Sequence, residues 1–322
     1  MKIGTRATAM ALAQTGEVVR LLKAAFPGEA FEPAPFTPAG DRDQISTLDR
    51  HGGKGGAFVE EIRAAIAAGL IDAAMHSLKD MPGDEETPGL VIAAMLTREA
   101  PGDALVLHPD VSLSAFQKTR ARGLRIGTNS VRRKAYLRRL YPDAEVVHYR
   151  GAADTRVRKL DGRVPQKLPD GSQTPPADAI VVARAGLERI GLGPRIAYDF
   201  PFTDMLPAIG QGVIAVECAA SAFDVRARLA AIDDGETRAR AEAEREVLWV
   251  LNGHCNSPIA GHAEIRGGVL ALRAAVLSED GGELIEASAE GAPDRPRALG
   301  RAVGMALLDK GARRLIERPR ED

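Results

Sequence analysis

LRIGTNSVRRKAYLRRL, residues 124–140, reads as a short strand, a hydroxyl-bearing turn and a basic helix, and residues 2–26 have the same design. In the earlier copy the strand runs into the turn GTRAT and then a helix that places Val18, Leu21, Leu22 and Ala25 on one face. The shared Ile-Gly-Thr at residues 3–5 and 126–128 predicts two similar α/β domains rather than one continuous sheet.

Working outward, each half holds further α/β units. AFVEEIRAAIAAGL followed by IDAAMHSLKDMP extends the first, and AEVVHYRG, a helix and DAIVVARAGLERIG extend the second, so both are expected to be doubly wound. Between them, TREAPGDALVL (97–107) and FPFTDMLPAIGQGVIAVE (200–217) carry the Pro and Gly of interdomain crossings. Two crossings mean a chain that leaves the first domain and comes back. DGRVPQKLPDGSQTPP (161–176), with four Pro and no apolar period, is expected to be an exposed loop. After residue 235 a helix, three strands separated by Gly turns and a closing helix predict a small α+β domain. The expected division is 1–100 with 213–230, 101–212, and 231–322. The fold class is therefore α/β, with two similar doubly wound, periplasmic-binding-protein-like domains and a smaller α+β third.

A chain of 322 residues with 45% hydrophobic content suits such a multi-domain protein. No apolar run is long enough to span a bilayer and MKIGTRATAM lacks a signal pattern, so a cytoplasmic location without membrane contact is expected. Cys218 and Cys255 are expected as reduced thiols, and neither lies in a metal-binding pair, so no metal is expected. No coiled-coil heptad or broad apolar helix face argues for more than a monomer. The net charge of −1 conceals an asymmetry: residues 118–167 hold 15 Lys and Arg against 4 Asp and Glu, net +11, leaving −12 elsewhere. The segment lacks interleaved aromatics or a helix-turn-helix pattern, and arginine dominates it, which suits discrete carboxylates better than nucleic acid.

Chemistry-bearing residues gather where strands end. Thr5, Arg6 and Thr8 follow the first strand, and Thr128, Asn129, Ser130, Arg132 and Arg133 follow its counterpart. Helix amino termini with hydroxyls and free N–H groups bind anions, although Thr8 and Ser130 could equally be ordinary caps. With Arg150, Arg156 and Arg158 nearby in sequence, the pair favours an anion site. In MHSLKDMP, His76 or Lys79 and Asp80 fall at a strand's carboxyl end, where open α/β sheets place their ligands, although a Lys-Asp-x-Pro ending is equally a solvated turn. Asp80 is thus a candidate acid, base or cation stabiliser. HGGKGGAFVEE (51–61) lacks the GK[ST] ending of a phosphate loop and reads as a lid before a helix. Cys218 continues an apolar strand and reads as a buried structural thiol, whereas Cys255 has polar neighbours and is either accidental or used as nucleophile or attachment point.

With GTRAT, AGD, GGKG, HSLKDMP, GTNSVRRK, YRG then DTR, AGLERIG, LPAIGQG and NGHCNSPIAG in that order, residues 2 to about 265 resemble the hydroxymethylbilane synthase family, also called porphobilinogen deaminases. The resemblance implies a transferase that joins four porphobilinogen units head to tail, losing ammonia at each step, and releases hydroxymethylbilane after addition of water. It also implies a dipyrromethane cofactor in thioether linkage to Cys255. A tethered chain cannot diffuse away between additions, so each addition becomes effectively intramolecular.

By motif, Arg6, Thr8, Lys79, Thr128, Ser130, Arg132, Arg133, Arg150, Arg156 and Arg189 would hold the carboxylates of cofactor and substrate, and the +11 segment would supply most of them. Asp80 would face the pyrrole nitrogens and stabilise the cation left when ammonia departs. Phe58 would close over the cleft, and Gln211 would act at the interdomain crossing. The chain departs from the family pattern at Ala39, Ala152 and His254, in one extra residue in GGKGGAF and in a longer 161–176 loop, so lid geometry and cofactor contacts are where it should differ. The rival reading is a non-catalytic, two-lobed anion or solute receptor, which has no need of Cys255 or of a third domain.

Overall fold

The computed structural model describes residues 1–36, 59–83, 87–168, 170–254 and 256–316. Cys255, Phe58, Ala39 and the lid stretch up to residue 58 lie outside the described residues. The chain opens with β1 (Lys2–Arg6), α1 (Ala9–Ala25), β2 (Glu32–Phe36), α2 (Glu60–Ala67), β3 (Ala73–Ser77) and β4 (Leu90–Met95). There follow β5 (Asp103–Leu107), α3 (Leu113–Thr119), β6 (Arg125–Thr128), α4 (Val131–Leu140), β7 (Glu145–His148), α5 (Ala153–Asp161), β8 (Gln166–Lys167), β9 (Gln173–Thr174), β10 (Ala179–Ala183), α6 (Arg184–Arg189) and β11 (Tyr198–Asp199). The last part is β12 (Ile214–Ala219), α7 (Phe223–Ala230), α8 (Gly235–Leu251), β13 (Ile259–Arg266), β14 (Val269–Leu277), β15 (Leu284–Gly291), α9 (Pro296–Asp309) and α10 (Arg313–Ile316).

Two five-stranded sheets repeat one plan. The first has the order β2-β1-β3-β12-β4 and the second, read from the other edge, β7-β6-β10-β5-β11. In each the first three strands are parallel and the fourth runs against both its neighbours. β1 and β6, which carry the two Ile-Gly-Thr copies, occupy equivalent places. The reversed strand of each sheet is the one that arrives directly from a crossing: β5 after residues 97–102, β12 after residues 200–213. A strand entering from the other body comes in at the end where parallel strands finish, so it must run backwards.

Both faces of each sheet are covered, which the alternation along single strands makes plain. On β3, Ala73 and Met75 join the core under α1 while Ala74 faces Ile62, Ala65 and Ile66 of the α2 region. On β10, Ala179 and Val181 face Phe116, Ala135 and Leu137, while Ile180 and Val182 face Val157, Leu160 and Leu187. The third sheet, β13-β14-β15, is an antiparallel meander under α8 and α9. It is not a free appendage: Ala260, Ala275 and Leu277 join the core of the second sheet with Phe200, Met205 and Leu206.

Several expectations need correcting. The buried stripe of α1 is Ala11, Gln14, Thr15, Val18, Val19 and Leu22; Leu21 is half-buried and Ala25 exposed, because the stripe repeats at three and four residues from Ala11. The 161–176 segment is not purely loop: β8 and β9 pair as a short hairpin of two-residue strands, and Gln166 is buried, its side-chain oxygen accepting from Lys159 Nζ at 3.0 Å. Among the described residues no helix is long and apolar enough to cross a membrane.

Candidate active site

The carboxyl ends of parallel strands in both sheets bring side chains together, as Lys79 and Arg133 show by meeting at Gln211. After β1 the Thr8 hydroxyl accepts the Ala11 amide at 3.3 Å, capping α1. After β6 the Thr128 hydroxyl accepts the Ser130 amide at 3.3 Å, and Ser130 caps α4 through the Arg133 amide at 3.4 Å. Both serve as the caps that the plainer sequence reading described. What remains for a ligand at these two ends is the unsatisfied backbone N–H groups and the dipole. Arg6 is the last residue of β1 and half-buried.

The turn after β3 is a single 3-10 turn, Leu78–Asp80, tied down by Leu78, which is fully buried and whose amide donates to Val213 at 3.0 Å. That leaves Lys79 and Asp80 half-buried at the sheet's end. Burial pushes the Lys79 ammonium down to about 8; Arg133 adds to the fall, while Asp80 and Asp103 oppose it. Arg156 on α5 is lowered to about 10 by burial and by Arg133, with the Asp80 carboxylate opposing. Asp80 therefore stands in the field of Lys79, Arg133 and Arg156, drawn from both sheets. Arg156 Nε donates to the Gly151 carbonyl at 2.6 Å, a turn possible because Gly151 has φ of +123°. Arg150, next to it in the chain, is buried.

Arg132 and Arg133 have partners that the sequence did not reveal. Both are buried, and both are committed to one carboxylate: Arg132 Nη2 lies 2.7 Å from Asp103 Oδ2 and Arg133 Nε 2.9 Å from Asp103 Oδ1. Arg132 Nη1 also donates to the Leu206 carbonyl at 2.6 Å. Burial would raise the Asp103 carboxyl, but Arg132, Arg133 and the Gln211 amide hold it down at about 2.

Gln211, fully buried in the second crossing, joins these groups: its amide nitrogen donates to the Pro101 carbonyl at 2.7 Å, to the Gly102 carbonyl at 3.2 Å and to Asp103 Oδ1 at 2.9 Å. Its oxygen accepts from Lys79 Nζ at 3.2 Å and Arg133 Nη2 at 3.3 Å. Arg189 is placed elsewhere: its Nε is 3.1 Å from Glu99 and its Nη2 donates to the Gly212 carbonyl at 3.0 Å, so it braces the crossings.

The +11 segment is likewise not aimed at one target. Arg122, Arg125 and Arg163 pair with Asp143, Asp178 and Asp110, and Arg138 donates to the Glu279 carbonyl of the third unit. Arg132, Arg133 and Arg150 are instead buried. Asp103 went unread in the sequence; its signal was a charged residue opening DALVL, a strand buried at every position. Cys218 is a free, buried thiol, as expected.

Fold and site together define a protein with two α/β sheets that end on a strongly cationic cleft, suited to a ligand with several carboxylates. Comparison with known proteins makes that specific. The model of the porphobilinogen deaminase dipyromethane cofactor binding domain matches residues 1–227, and that of the porphobilinogen deaminase C-terminal domain matches residues 238–309. The porphobilinogen deaminase of Syntrophobacter fumaroxidans is 40% identical over 317 residues, 98% of this chain and 97% of that protein. Those of Xanthomonas euvesicatoria and Stenotrophomonas maltophilia are each 40% identical over 316 residues, 98% of both chains. Among solved structures, the VFT2 domain of Bordetella pertussis BvgS is similar with a TM-score of 0.40 at 17% identity, covering 72% of this chain and 85% of that one. The chain belongs to the porphobilinogen deaminase family.

Proposed function

We propose that the cleft is the active site of a hydroxymethylbilane synthase, with Asp80 as its central carboxylate and the surrounding cations as its carboxylate receptors. The reaction is polymerisation of four porphobilinogen molecules into hydroxymethylbilane, with release of ammonia and addition of water, on a dipyrromethane cofactor. The residues present fit that group, since acetate and propionate side chains call for buried cations and helix amino termini, and the cleft offers both. Lys79, Arg132, Arg133 and Arg150 would hold it with the Thr128 and Ser130 turn, and Cys255 would anchor it. When bound, it supplies a fixed primer end.

Arg6 and Arg156 would seat the incoming substrate's carboxylates, and Phe58 would shield it from water. Departure of ammonia from porphobilinogen leaves a cation conjugated with the pyrrole nitrogen. The Asp80 carboxylate would accept the hydrogen bond of that N–H and stabilise the charge where it develops. We place Arg189 with Gln211, bracing the crossings rather than touching substrate. The expected division into 1–100 with 213–230, 101–212 and 231–322 is kept, as are a cytoplasmic location and a monomer. A non-catalytic receptor is the less favoured reading, because it assigns no work to Asp80 inside a shell of cations.

The observation that carries this reading is the convergence of cations from two sheets beside the half-buried Asp80: Lys79 Nζ and Arg133 Nη2 meet at the Gln211 side-chain oxygen, at 3.2 Å and 3.3 Å. The test is intact mass of the denatured chain from a porphyrin-producing host, with the Cys255→Ser variant alongside. An adduct of two linked pyrroles on the parent, absent from the variant together with product formation, is the expected result. A parent chain of unmodified mass, or a variant that makes hydroxymethylbilane at the parental rate, would overturn it.

A further inference from the structure

We propose that Asp103 is a positioning residue for the anion-binding cations: one buried carboxylate, shared by Arg132, Arg133 and the Gln211 amide, fixes the orientation of the two guanidinium groups and, through Gln211, holds Lys79 to the same hub. The inference rests on the cofactor-and-substrate reading of the cleft.

The geometry leaves Asp103 little freedom. It is 0% exposed and opens β5 directly after the first crossing, and its two oxygens are divided between partners. Oδ2 lies 2.7 Å from Arg132 Nη2 in an ion pair; Oδ1 lies 2.8 Å from Arg133 Nη2 and accepts from Arg133 Nε at 2.9 Å and from the Gln211 amide at 2.9 Å. Two adjacent arginines on one helix turn repel, and without an intervening carboxylate they would splay apart or draw in solvent anions. Arg133 Nη1 also donates to the Val181 carbonyl at 3.3 Å and Arg132 Nη1 to the Leu206 carbonyl at 2.6 Å, so both guanidinium groups are held in one orientation. The Gln211 oxygen carries the constraint on, accepting from Arg133 and from Lys79. One carboxylate from the second sheet thereby sets the position of a lysine on the first.

The charged groups around Lys79 make the arrangement measurable. They are Arg132 and Arg133 on α4, Asp80 on its own turn and Asp103 on β5. Removing the Asp103 charge leaves the two arginines to act on Lys79 without their counterion, so its ammonium should lose its proton at lower pH. A misplaced but still charged carboxylate should leave that titration alone and spoil only the receptor geometry. Position and charge can therefore be separated with two variants, Asp103→Asn and Asp103→Glu.

The experiment follows the acylation of Lys79 against pH by mass spectrometry of full-length chains, with KM, kcat and the fraction of chains bearing the pyrrole adduct. The parent midpoint is expected near 8. In Asp103→Asn it should fall by about one unit or more, with adduct occupancy reduced. In Asp103→Glu it should stay at the parental value while KM for porphobilinogen rises about tenfold, the loss of roughly one well-placed charged contact, and kcat changes less. Should the Asn chain fail to accumulate, the Glu variant decides alone. A Glu variant with parental KM, or an Asn variant destabilised but unaltered in Lys79 midpoint and occupancy, would overturn the proposal and leave Asp103 a merely structural ion pair. An unmodified parent chain would instead sink the cofactor reading, and the Lys79 titration would still report on Asp103.

Discussion

Asp80 and Asp103 both lie near Arg133, yet burial sets them apart. Asp103 is sealed and fully engaged, held ionised by the guanidinium groups it bridges. Asp80 ends a one-turn helix at the cleft, half-buried, where it can meet a substrate N–H. Asp80→Asn keeps the shape and a hydrogen-bonding oxygen but removes the negative charge. It should cut kcat by about 10²- to 10⁴-fold, the usual weight of a positioned proton acceptor, with KM changed only a few-fold and the pyrrole adduct retained. Steady-state kinetics on adduct-bearing protein checks this, and near-normal kcat would remove Asp80 from the chemistry. The sequence made Asp80 legible because charged residues at the carboxyl end of a strand announce themselves. It hid Asp103, since one acid before an apolar run looks like a solvated turn until the run proves buried on both sides. For Arg132, Arg133 and Arg189 the residue types were readable but their partners were not, because Asp103, Gln211 and Glu99 come from distant parts of the chain.

At the scale of the element, period and punctuation were enough to place most helices and strands, and the two Ile-Gly-Thr copies did mark equivalent strands of two sheets. The physical reason for their glycines appears only in three dimensions. A Cβ on Gly127 would lie 2.8 Å from Cγ and 3.0 Å from Cβ of Tyr149, which is 0% exposed and rooted in β7's continuation. A Cβ on Gly4 would meet chiefly the Ile71 Cδ1 tip, which can rotate aside. Gly127→Ala should therefore cost about 1–3 kcal/mol, and Gly4→Ala clearly less, although the local sequences are alike. Urea midpoints of the two variants test this; equal shifts, or a larger one at Gly4, would contradict it. The 161–176 hairpin could not have been read, because two-residue strands have no detectable period. The α1 stripe was misjudged at Leu21 and Ala25 for a related reason: several apolar residues in a row do not say which of them faces the sheet.

For the whole molecule, the order of strands was beyond the sequence, since it depends on which edges meet, but the double crossing was visible in its Pro and Gly, and it organises everything else. At the crossings Gln211 ties the second segment to Pro101, Gly102 and Asp103 of the first, and Gly212, at φ +90°, passes so close to the Glu99 carbonyl that no side chain fits. Arg98 then extends the junction to the third unit. Its Nε donates to the Gln211 carbonyl at 2.9 Å and its Nη1 pairs at 2.5 Å with Glu244 on α8. Glu244, 0% exposed, also accepts the Gly210 amide at 2.8 Å and the Ala263 amide at 2.7 Å. One carboxylate thus joins both crossings to the helix and first strand of the unit that carries Cys255. Glu244→Gln cannot preserve this: an amide has one acceptor oxygen, so Gly210 or Ala263 would face an N–H, and the buried Arg98 would lose its counterion. The cost should be about 3–5 kcal/mol, as for other buried pairs stripped of one partner. Because the loss falls on the junction and not on any one core, the urea transition should not only shift but broaden, with the lone Trp249 on α8 reporting the third unit's release ahead of the far-ultraviolet signal. A single, sharp transition at the parental midpoint by both probes would show that the three bodies are held together by their shared apolar cores and not by this carboxylate.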